Sequence, residues 1–200
     1  MLAREVVGMT LLIRSLLALC TLTLLPSAAL AQACDTHSGL PVPRFVSLKF
    51  EEVNGRAGPS RGHPVRWLYE RRGLPVEVIA ETADWRQVRD IDGEETWMHR
   101  RTLSGRRAVS AIEEVFLQAR PEADGAEEAR VEAGAILWLE RCRQGWCRLE
   151  AEGRRGWAPA GMFWGVYPWE RTGQALEAGR TPCYRSDEDV VAVAGETSTR

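Results

Sequence analysis

The sequence predicts an all-β protein made of two small β-barrels in tandem, and two observations support this. A block of about sixty residues is written twice, as expected for a duplicated unit. The clearest part of the repeat is WRQVRDIDGEETWMHRRTL at residues 85–103, which returns as WCRLEAEGRRGWAPAGMF at residues 146–163. Short apolar stretches alternate with turns that contain glycine or proline, at the spacing typical of a small barrel or sandwich.

Composition excludes several classes of protein. The chain has 200 residues, of which 44% are hydrophobic and 27% are charged, and these values are typical of a soluble globular protein. The net charge is -2 and both signs are interspersed, which argues against a nucleic-acid-binding surface. Two domains in a chain of this length would each be close to the smallest size that supports its own core.

The N-terminus has the features of a signal peptide, predicted to span residues 1–31. Arg14 precedes an uncharged stretch at residues 15–25, and the small residues that follow end in Ala29-Leu30-Ala31. Cleavage after Ala31 would place the mature chain in the periplasm or outside the cell, with no membrane-spanning segment. Met9 is an alternative start. Lipid attachment at the first mature cysteine is a weaker alternative, because alanine rather than leucine stands three residues before it.

Four cysteines remain after the predicted cleavage, in an oxidising compartment. Gln144-Gly145 can form a two-residue hairpin turn, which sets Cys142 directly opposite Cys147 at disulfide distance. We therefore predict a structural disulfide between them. A redox or metal site is disfavoured because the spacing is not C-x-x-C and no histidines cluster nearby. Cys34 and Cys183 are left as a possible second pair.

Turn signals divide the mature chain into predicted domains and strands. A linker at residues 32–43 precedes the first repeat at residues 44–104, and the second repeat spans residues 112–168. Residues 104–110 (SGRRAVS) are predicted to be a connector, and residues 169–200 a flexible tail. The strands predicted in the first repeat are residues 45–48, 53–57, 65–69, 76–81, 85–89 and 96–98.

The first motif carries a resemblance to a known family. Residues 53–60 read VNGRAGPS, and with Gly73-Leu74-Pro75-Val76 and the tryptophan block they resemble the bacterial SH3-like domain, whose motif is V-N-x-R-x-G-P-S. In the second copy Phe116 and Gln118 occupy the Asn and Arg positions. The closing WGVYP is similar to exported proteins with tandem domains of this kind. The resemblance implies small, strongly bent barrels, and better understood members bind peptidoglycan or proteins, often as appendages to wall hydrolases.

Candidate binding residues come from the motif and from the aromatic side chains. Asn54 and Arg56 are candidates for a ligand groove, although we favour a structural role in which each bonds locally. Tryptophans at repeated positions are interpreted as core, namely Trp85, Trp97, Trp146 and Trp157. Aromatic residues that differ between copies are better candidates for a binding surface: Trp67, Tyr69, Trp138, Trp164, Tyr167 and Trp169.

Nothing in the sequence indicates catalysis, a metal site or a cofactor. A Cys/His hydrolase needs an activated thiolate, and neither Cys34 nor Cys183 lies at a predicted helix N-terminus. The leading interpretation is a non-catalytic exported module that binds peptidoglycan or a wall-associated protein. The alternatives are an interaction scaffold in an envelope protein complex without wall binding and, ranked third, a Cys/His wall hydrolase.

Overall fold

The computed structural model describes Cys34 and residues 36–173, which form two seven-stranded antiparallel sheets. The strands of the first sheet are β1 (Arg44–Leu48), β2 (Val53–Arg56), β3 (Val65–Tyr69), β4 (Pro75–Glu81), β5 (Trp85–Arg89), β6 (Glu95–His99) and β7 (Leu103–Ser104). Those of the second are β8 (Ala108–Ala111), β9 (Val115–Gln118), β10 (Glu127–Val131), β11 (Ile136–Arg143), β12 (Trp146–Ala151), β13 (Arg154–Pro159) and β14 (Phe163–Trp164). A short helix, α1 (Pro168–Thr172), follows. The predicted signal peptide lies outside the described residues.

The two sheets have the same topology. The strand order is β3-β2-β6-β5-β4-β1-β7 in the first sheet and β10-β9-β13-β12-β11-β8-β14 in the second, so each strand has a counterpart seven places later. The repeat in the sequence is therefore a repeat of the fold. The predicted all-β architecture of two tandem barrels is confirmed.

Each sheet closes over its own apolar core, and alternation along the strands decides which residues enter it. On β5 the buried side chains are Arg86 and Val88, so Trp85 faces outward and is half-buried against the His99 ring. The first core consists of Leu48, Val53, Val76, Val78, Val88 and Met98. Buried residues of the second include Val109, Val115, Leu117, Leu137, Leu149 and Phe163.

The interpretation of the repeated tryptophans as core residues is wrong for three of the four. Trp85, Trp97 and Trp146 are only half-buried, because each alternates with the smaller residues that point into the barrel. Trp157 is buried, with 5% of its surface exposed. The Arg141 and Arg143 guanidinium groups lie over its ring, at 5.3 and 4.5 Å from the centroid.

The second barrel begins earlier than predicted. Ala108–Ala111 forms β8, and all four of its residues are buried between β11 and β14. The predicted connector at residues 104–110 is therefore shorter, and the start at residue 112 needs correction to residue 108. The reason is that these small and apolar residues complete the second core. At the other end, α1 occupies the first residues of the predicted tail, and residues 174–200 lie outside the described part.

The hairpin of β11 and β12 carries the predicted disulfide. Gln144 and Gly145 have φ angles of 49° and 77°, so the two-residue turn is left-handed at both positions. This turn aligns Cys142 with Cys147, and the two are bonded at a Cα–Cα distance of 4.0 Å. Cys34 is buried and also disulfide-bonded. Cys183 lies outside the described residues, so its pairing with Cys34 stays a prediction.

Candidate functional site

The VNGRAGPS motif builds the loop that joins β2 to β3. The Arg56 guanidinium donates to the backbone oxygens of Arg61 and His63, at 3.2 and 2.8 Å. The Ser60 hydroxyl lies 2.8 Å from His63 Nδ1, and the His63 ring covers Gly58 so closely that a Cβ there would lie 2.5 Å away. Arg56, Gly58 and Ser60 thus hold the loop in shape.

The corresponding loop of the second barrel keeps the same backbone without the motif. Both loops are closed by one hydrogen bond, from Ala57 N to the Pro64 oxygen and from Ala119 N to the Ala126 oxygen. Gln118 stands at the Arg56 position and makes no such contacts. Its Oε1 is buried without a hydrogen-bond partner in the part of the chain that the structure describes.

Asn54 differs from Arg56 in that its side chain is exposed. It lies opposite Leu68 in the pairing of β2 with β3. No hydrogen bond from the Asn54 side chain is found among the described residues. Of the two motif residues singled out in the sequence, Arg56 is thus bonded to the loop backbone, whereas the Asn54 side chain is exposed.

An apolar surface lies on β3, which is the edge strand of the first sheet. Trp67 is 50% exposed, Leu68 49% and Val65 46%. Edge strands are usually protected by charged residues, because an apolar edge promotes association. We call Val65, Trp67, Leu68 and Tyr69 the β3 surface; Trp67 and Tyr69 share one face of the strand, and Leu68 lies on the other face opposite Asn54.

Carboxylates of the β5–β6 turn border the β3 surface. The Trp67 indole donates from Nε1 to Glu94 Oε2 at 3.3 Å, and the Tyr69 hydroxyl donates to Asp90 Oδ2 at 3.0 Å. Burial raises the pKa of the Tyr69 hydroxyl from 10.0 to about 12, and the Asp90 carboxylate adds to the increase. Tyr69 therefore remains a hydrogen-bond donor at any physiological pH.

The second barrel does not repeat this surface. The register of β10 against β9 sets Ala129 at the Trp67 position, Arg130 at the Leu68 position and Glu127 at the Val65 position. Its edge strand is thus charged, in the way that natural edge strands avoid association. The exposed apolar edge belongs to the first barrel alone.

Three of the remaining candidates pack the second barrel against the first. The Phe45 ring of β1 lies edge-on to Trp164 at 5.2 Å between centroids and contacts Tyr167 at 5.3 Å. Phe45 N also donates to the Tyr167 hydroxyl at 3.0 Å, and Trp169 stacks on Tyr167 at 4.4 Å. Burial raises the pKa of the Tyr167 hydroxyl. WGVYP is thus part of a contact between the barrels.

Two arginines of the short connector pack against the aromatic residues of that contact. Arg107 makes a two-bonded salt bridge to Glu170 of α1, at 2.7 and 2.8 Å, and its guanidinium lies 4.4 Å from the Tyr167 ring centroid. Arg106 Cζ lies 3.8 Å from the Trp138 ring centroid, and the edge of the Trp138 ring lies close to Gly73 of the first barrel, where a Cβ would be 3.3 Å away. Trp138 is therefore also half-buried between the barrels.

The structure thus divides the eight candidate residues. Asn54, Trp67 and Tyr69 lie together on β2 and β3, whereas Arg56 supports the adjoining loop. The four others belong to the contact between the barrels: Trp138, Trp164, Tyr167 and Trp169. Sequence reasoning missed Val65, Leu68, Asp90 and Glu94. The signal that was available for Val65 and Leu68 is that four of the five residues at 65–69 are apolar or aromatic, which is unusual for an edge strand.

Comparison with known families identifies the repeated unit. The model of the bacterial SH3 domain matches residues 49–105 and again residues 111–165, which together exceed half of the chain. The chain belongs to this family. Each match falls on one of the two sheets and covers all of it except β1 in the first and the first three residues of β8 in the second, so each barrel is one bacterial SH3 domain.

Other comparisons are weaker. No curated protein matches the chain at a significant level. It is similar to the solved structures of NlpC1 and NlpC2 from Trichomonas vaginalis, at 15% identity and a TM-score of 0.30 in both cases. The matches cover 64% and 68% of this chain, which spans 47% and 51% of those proteins. With about half their length matched, nothing of their activity is carried over.

Two features are absent from residue 34 and residues 36–173, the part of the chain that the structure describes. In that part of the chain no helix has the length and hydropathy needed to cross a lipid bilayer. There is also no cluster of three or more His, Cys, Asp and Glu side chains that could hold a metal ion.

Proposed function

We propose that this protein is a non-catalytic, exported binding module whose β3 surface recognises peptidoglycan or a wall-associated protein. The observation that carries the proposal is the exposed apolar edge of the first barrel. Indole and phenol rings offer large rigid faces for sugars or peptides, and the neighbouring carboxylates supply hydrogen-bond acceptors. Because the second barrel has a charged edge instead, the β3 surface is not a requirement of the fold.

The disulfides support a non-catalytic role. A Cys/His wall hydrolase requires a free thiolate close to an imidazole. Cys34, Cys142 and Cys147 are all bonded. This part of the proposal fails if a reactive thiol is titrated in the native oxidised protein and its removal abolishes a wall-cleaving activity.

Binding to isolated wall sacculi tests the peptidoglycan version. Residues 32–200 should co-sediment with sacculi, and Trp67→Ala should weaken the binding by roughly thirtyfold, as expected for a central aromatic contact. Phe116→Ala is the matched control, because Phe116 is also an exposed aromatic residue but lies on the second barrel. No enrichment of the wild-type chain over an unrelated protein would rule out peptidoglycan as the ligand.

The unpaired edge of β3 favours an envelope protein as the second candidate ligand. An extended segment of another protein can add to such an edge through backbone hydrogen bonds. This alternative predicts that Trp67→Ala abolishes capture of one defined envelope protein, while sacculus binding is absent even in the wild type. Capture that is insensitive to Trp67→Ala would exclude the β3 surface from that interaction.

Export is tested separately. Amino-terminal sequencing of the chain recovered from its native host should begin at Gln32. Recovery of an uncleaved chain from the cytoplasm would contradict both the signal peptide and a role at the wall.

A further inference from the structure

A positively charged surface covers the outer face of the second barrel. It is formed by Arg141 and Arg143 on β11, Arg148 on β12 and Arg155 on β13, and we call these four residues the arginine ledge. The ledge lies on a different domain from the β3 surface.

Two of the guanidinium groups stack on one indole. Arg143 Cζ lies 4.5 Å and Arg141 Cζ 5.3 Å from the centroid of the Trp157 ring. Stacking orients a guanidinium through its face and leaves the N–H groups along its edge available. Among the described residues, neither Arg141 nor Arg143 has a carboxylate partner. The ring therefore holds two cations side by side without neutralising them.

The charge of the ledge is only partly balanced. Glu140 accepts from both Arg148 and Arg155, at 3.2 and 3.1 Å, so four positive charges face one negative charge in these ion pairs. Glu150 lies opposite Arg155 in the sheet, but its carboxylate accepts from Arg106 and from Gly153 N instead. The ledge keeps a net positive charge.

Like charges are also opposed across the strands. Arg141 pairs with Arg148 in the register of β11 and β12, an arrangement that costs free energy in a sheet. At the same position the first barrel has Ala80 opposite Gln87, and neither is charged. The fold therefore does not require arginine here, and a bound anion would relieve the repulsion.

We propose that the arginine ledge binds an extended acidic peptide segment of a partner protein. Alternate residues of a strand lie about 6.7 Å apart, so Arg141 and Arg143 match carboxylates at alternate positions of an extended chain. Arg148 lies about 5 Å away across the strands, in reach of the same segment. The planar fork of each guanidinium accommodates a carboxylate through two hydrogen bonds.

The test measures binding of a labelled (Ser-Glu)4 peptide to residues 32–200 by fluorescence anisotropy, with (Ser-Lys)4 as the control peptide. Arg141→Gln/Arg143→Gln should lower the affinity for the acidic peptide about tenfold. Arg61→Gln/Arg72→Gln removes the same charge from exposed positions of the first barrel and should leave affinity unchanged. Equal weakening by both double variants, or no binding of the acidic peptide at low ionic strength, would overturn the proposal.

Two more variants complete the design. The Arg155 side chain is exposed and does not stack on Trp157. Arg155→Gln therefore tests the ledge if the double variant fails to fold. It should weaken the peptide about threefold, and unchanged affinity would overturn the site. The chain has its own acidic segment at residues 187–189, outside the described part. Tighter peptide binding by Asp187→Asn/Glu188→Gln/Asp189→Asn would identify that segment as the occupant and overturn the partner proposal.

Discussion

One cross-strand position holds a salt bridge in the first barrel and a disulfide in the second. Glu81 pairs with Arg86 across β4 and β5, and Cys142 pairs with Cys147 across β11 and β12. The Glu81 side chain is 2% exposed, and its Oε2 lies 2.7 Å from Arg44 Nη2 and 3.0 Å from Arg86 Nε. The same hairpin is thus held by charge in one barrel and by a covalent bond in the other.

Acid should weaken the first barrel through Glu81. Burial by itself raises the pKa of this carboxyl, but hydrogen bonds from Arg44 and Ser38 and the Arg44 charge outweigh burial and lower the pKa from 4.5 to about 2. The contribution of ionised Glu81 to the stability of the folded barrel is therefore complete above pH 4.5. It is lost as the pH falls from 4.5 towards 2. Glu81→Gln should remove this dependence, which is on the order of 3 kcal/mol in the free energy of unfolding.

Chemical denaturation across that pH range measures the effect. Glu95→Gln is the control, because Glu95 pairs with Arg89 on the exposed surface and should keep the acid dependence. A Glu81→Gln protein that still loses stability between pH 4.5 and 2 as the wild type does would contradict the assignment.

Reduction should weaken the second barrel instead. The disulfide closes a short loop, since Cys142 and Cys147 are separated by 5 positions. Loop-closure entropy for so short a segment predicts that Cys142→Ser/Cys147→Ser lowers the free energy of unfolding by about 2 kcal/mol. Denaturation with and without reductant checks this: the double variant should be insensitive to reductant in this barrel. A stability equal to the wild type would show that packing alone holds the hairpin.

At the scale of elements, one loop conformation is reached with two sets of side chains. The β2–β3 loop is held by Arg56, Gly58 and Ser60, whereas its counterpart at residues 119–126 keeps the same backbone hydrogen bonds without them. A recurring motif therefore need not mark a binding site. The edge strands differ in the opposite way. β3 and β10 occupy the same position in the topology, but β3 is apolar and β10 is charged, so the apolar residues of β3 are not required by the fold.

Arg56→Gln should lower the free energy of unfolding by about 1 kcal/mol, because two hydrogen bonds to backbone oxygens are lost. Asn54→Ala should change it by no more than a few tenths of a kcal/mol, since the side chain is exposed and unbonded within the described residues. Thermal denaturation distinguishes the two. Equal losses for both variants would contradict the division of the motif into a structural Arg and an exposed Asn.

At the scale of the whole molecule, Phe45 of the first barrel and Tyr167 of the second form a contact between the barrels. The Phe45–Tyr167 ring contact and the hydrogen bond from Phe45 N to the Tyr167 hydroxyl cross it. The Arg107–Glu170 salt bridge supports it from one side, by holding α1 against the start of the second barrel. Domains joined only by a linker move independently, whereas a packed contact couples their unfolding. Any ligand that spans both barrels would therefore meet a fixed geometry.

Phe45→Ala/Tyr167→Ala should separate one cooperative unfolding transition into two, because about 2 kcal/mol of coupling is lost. Differential scanning calorimetry checks this prediction. Phe116→Ala is again the matched control, since this exposed aromatic residue lies away from the contact. A single transition in the double variant would show that other contacts couple the barrels.

Most of the fold could be predicted from the sequence. The strands at 65–69 and 85–89 coincide with β3 and β5, and the Gln144-Gly145 turn aligned Cys142 with Cys147. These features are local: turn residues set the register, and register sets which side chains face each other. The start of the second barrel was misjudged because Ala108–Ala111 has no strong local signal and is ordered by the core it enters.

The sequence by itself therefore determined the duplication, the β-strands and the hairpin disulfide, all of which follow from turns and alternation. Only the tertiary structure decided which aromatic residues are available for binding. The burial of an aromatic ring on the outer face depends on what packs over it. Arginine side chains cover Trp157, and Phe45 of the neighbouring barrel covers Tyr167. Trp67 has no such cover on its edge strand, and it remains half exposed.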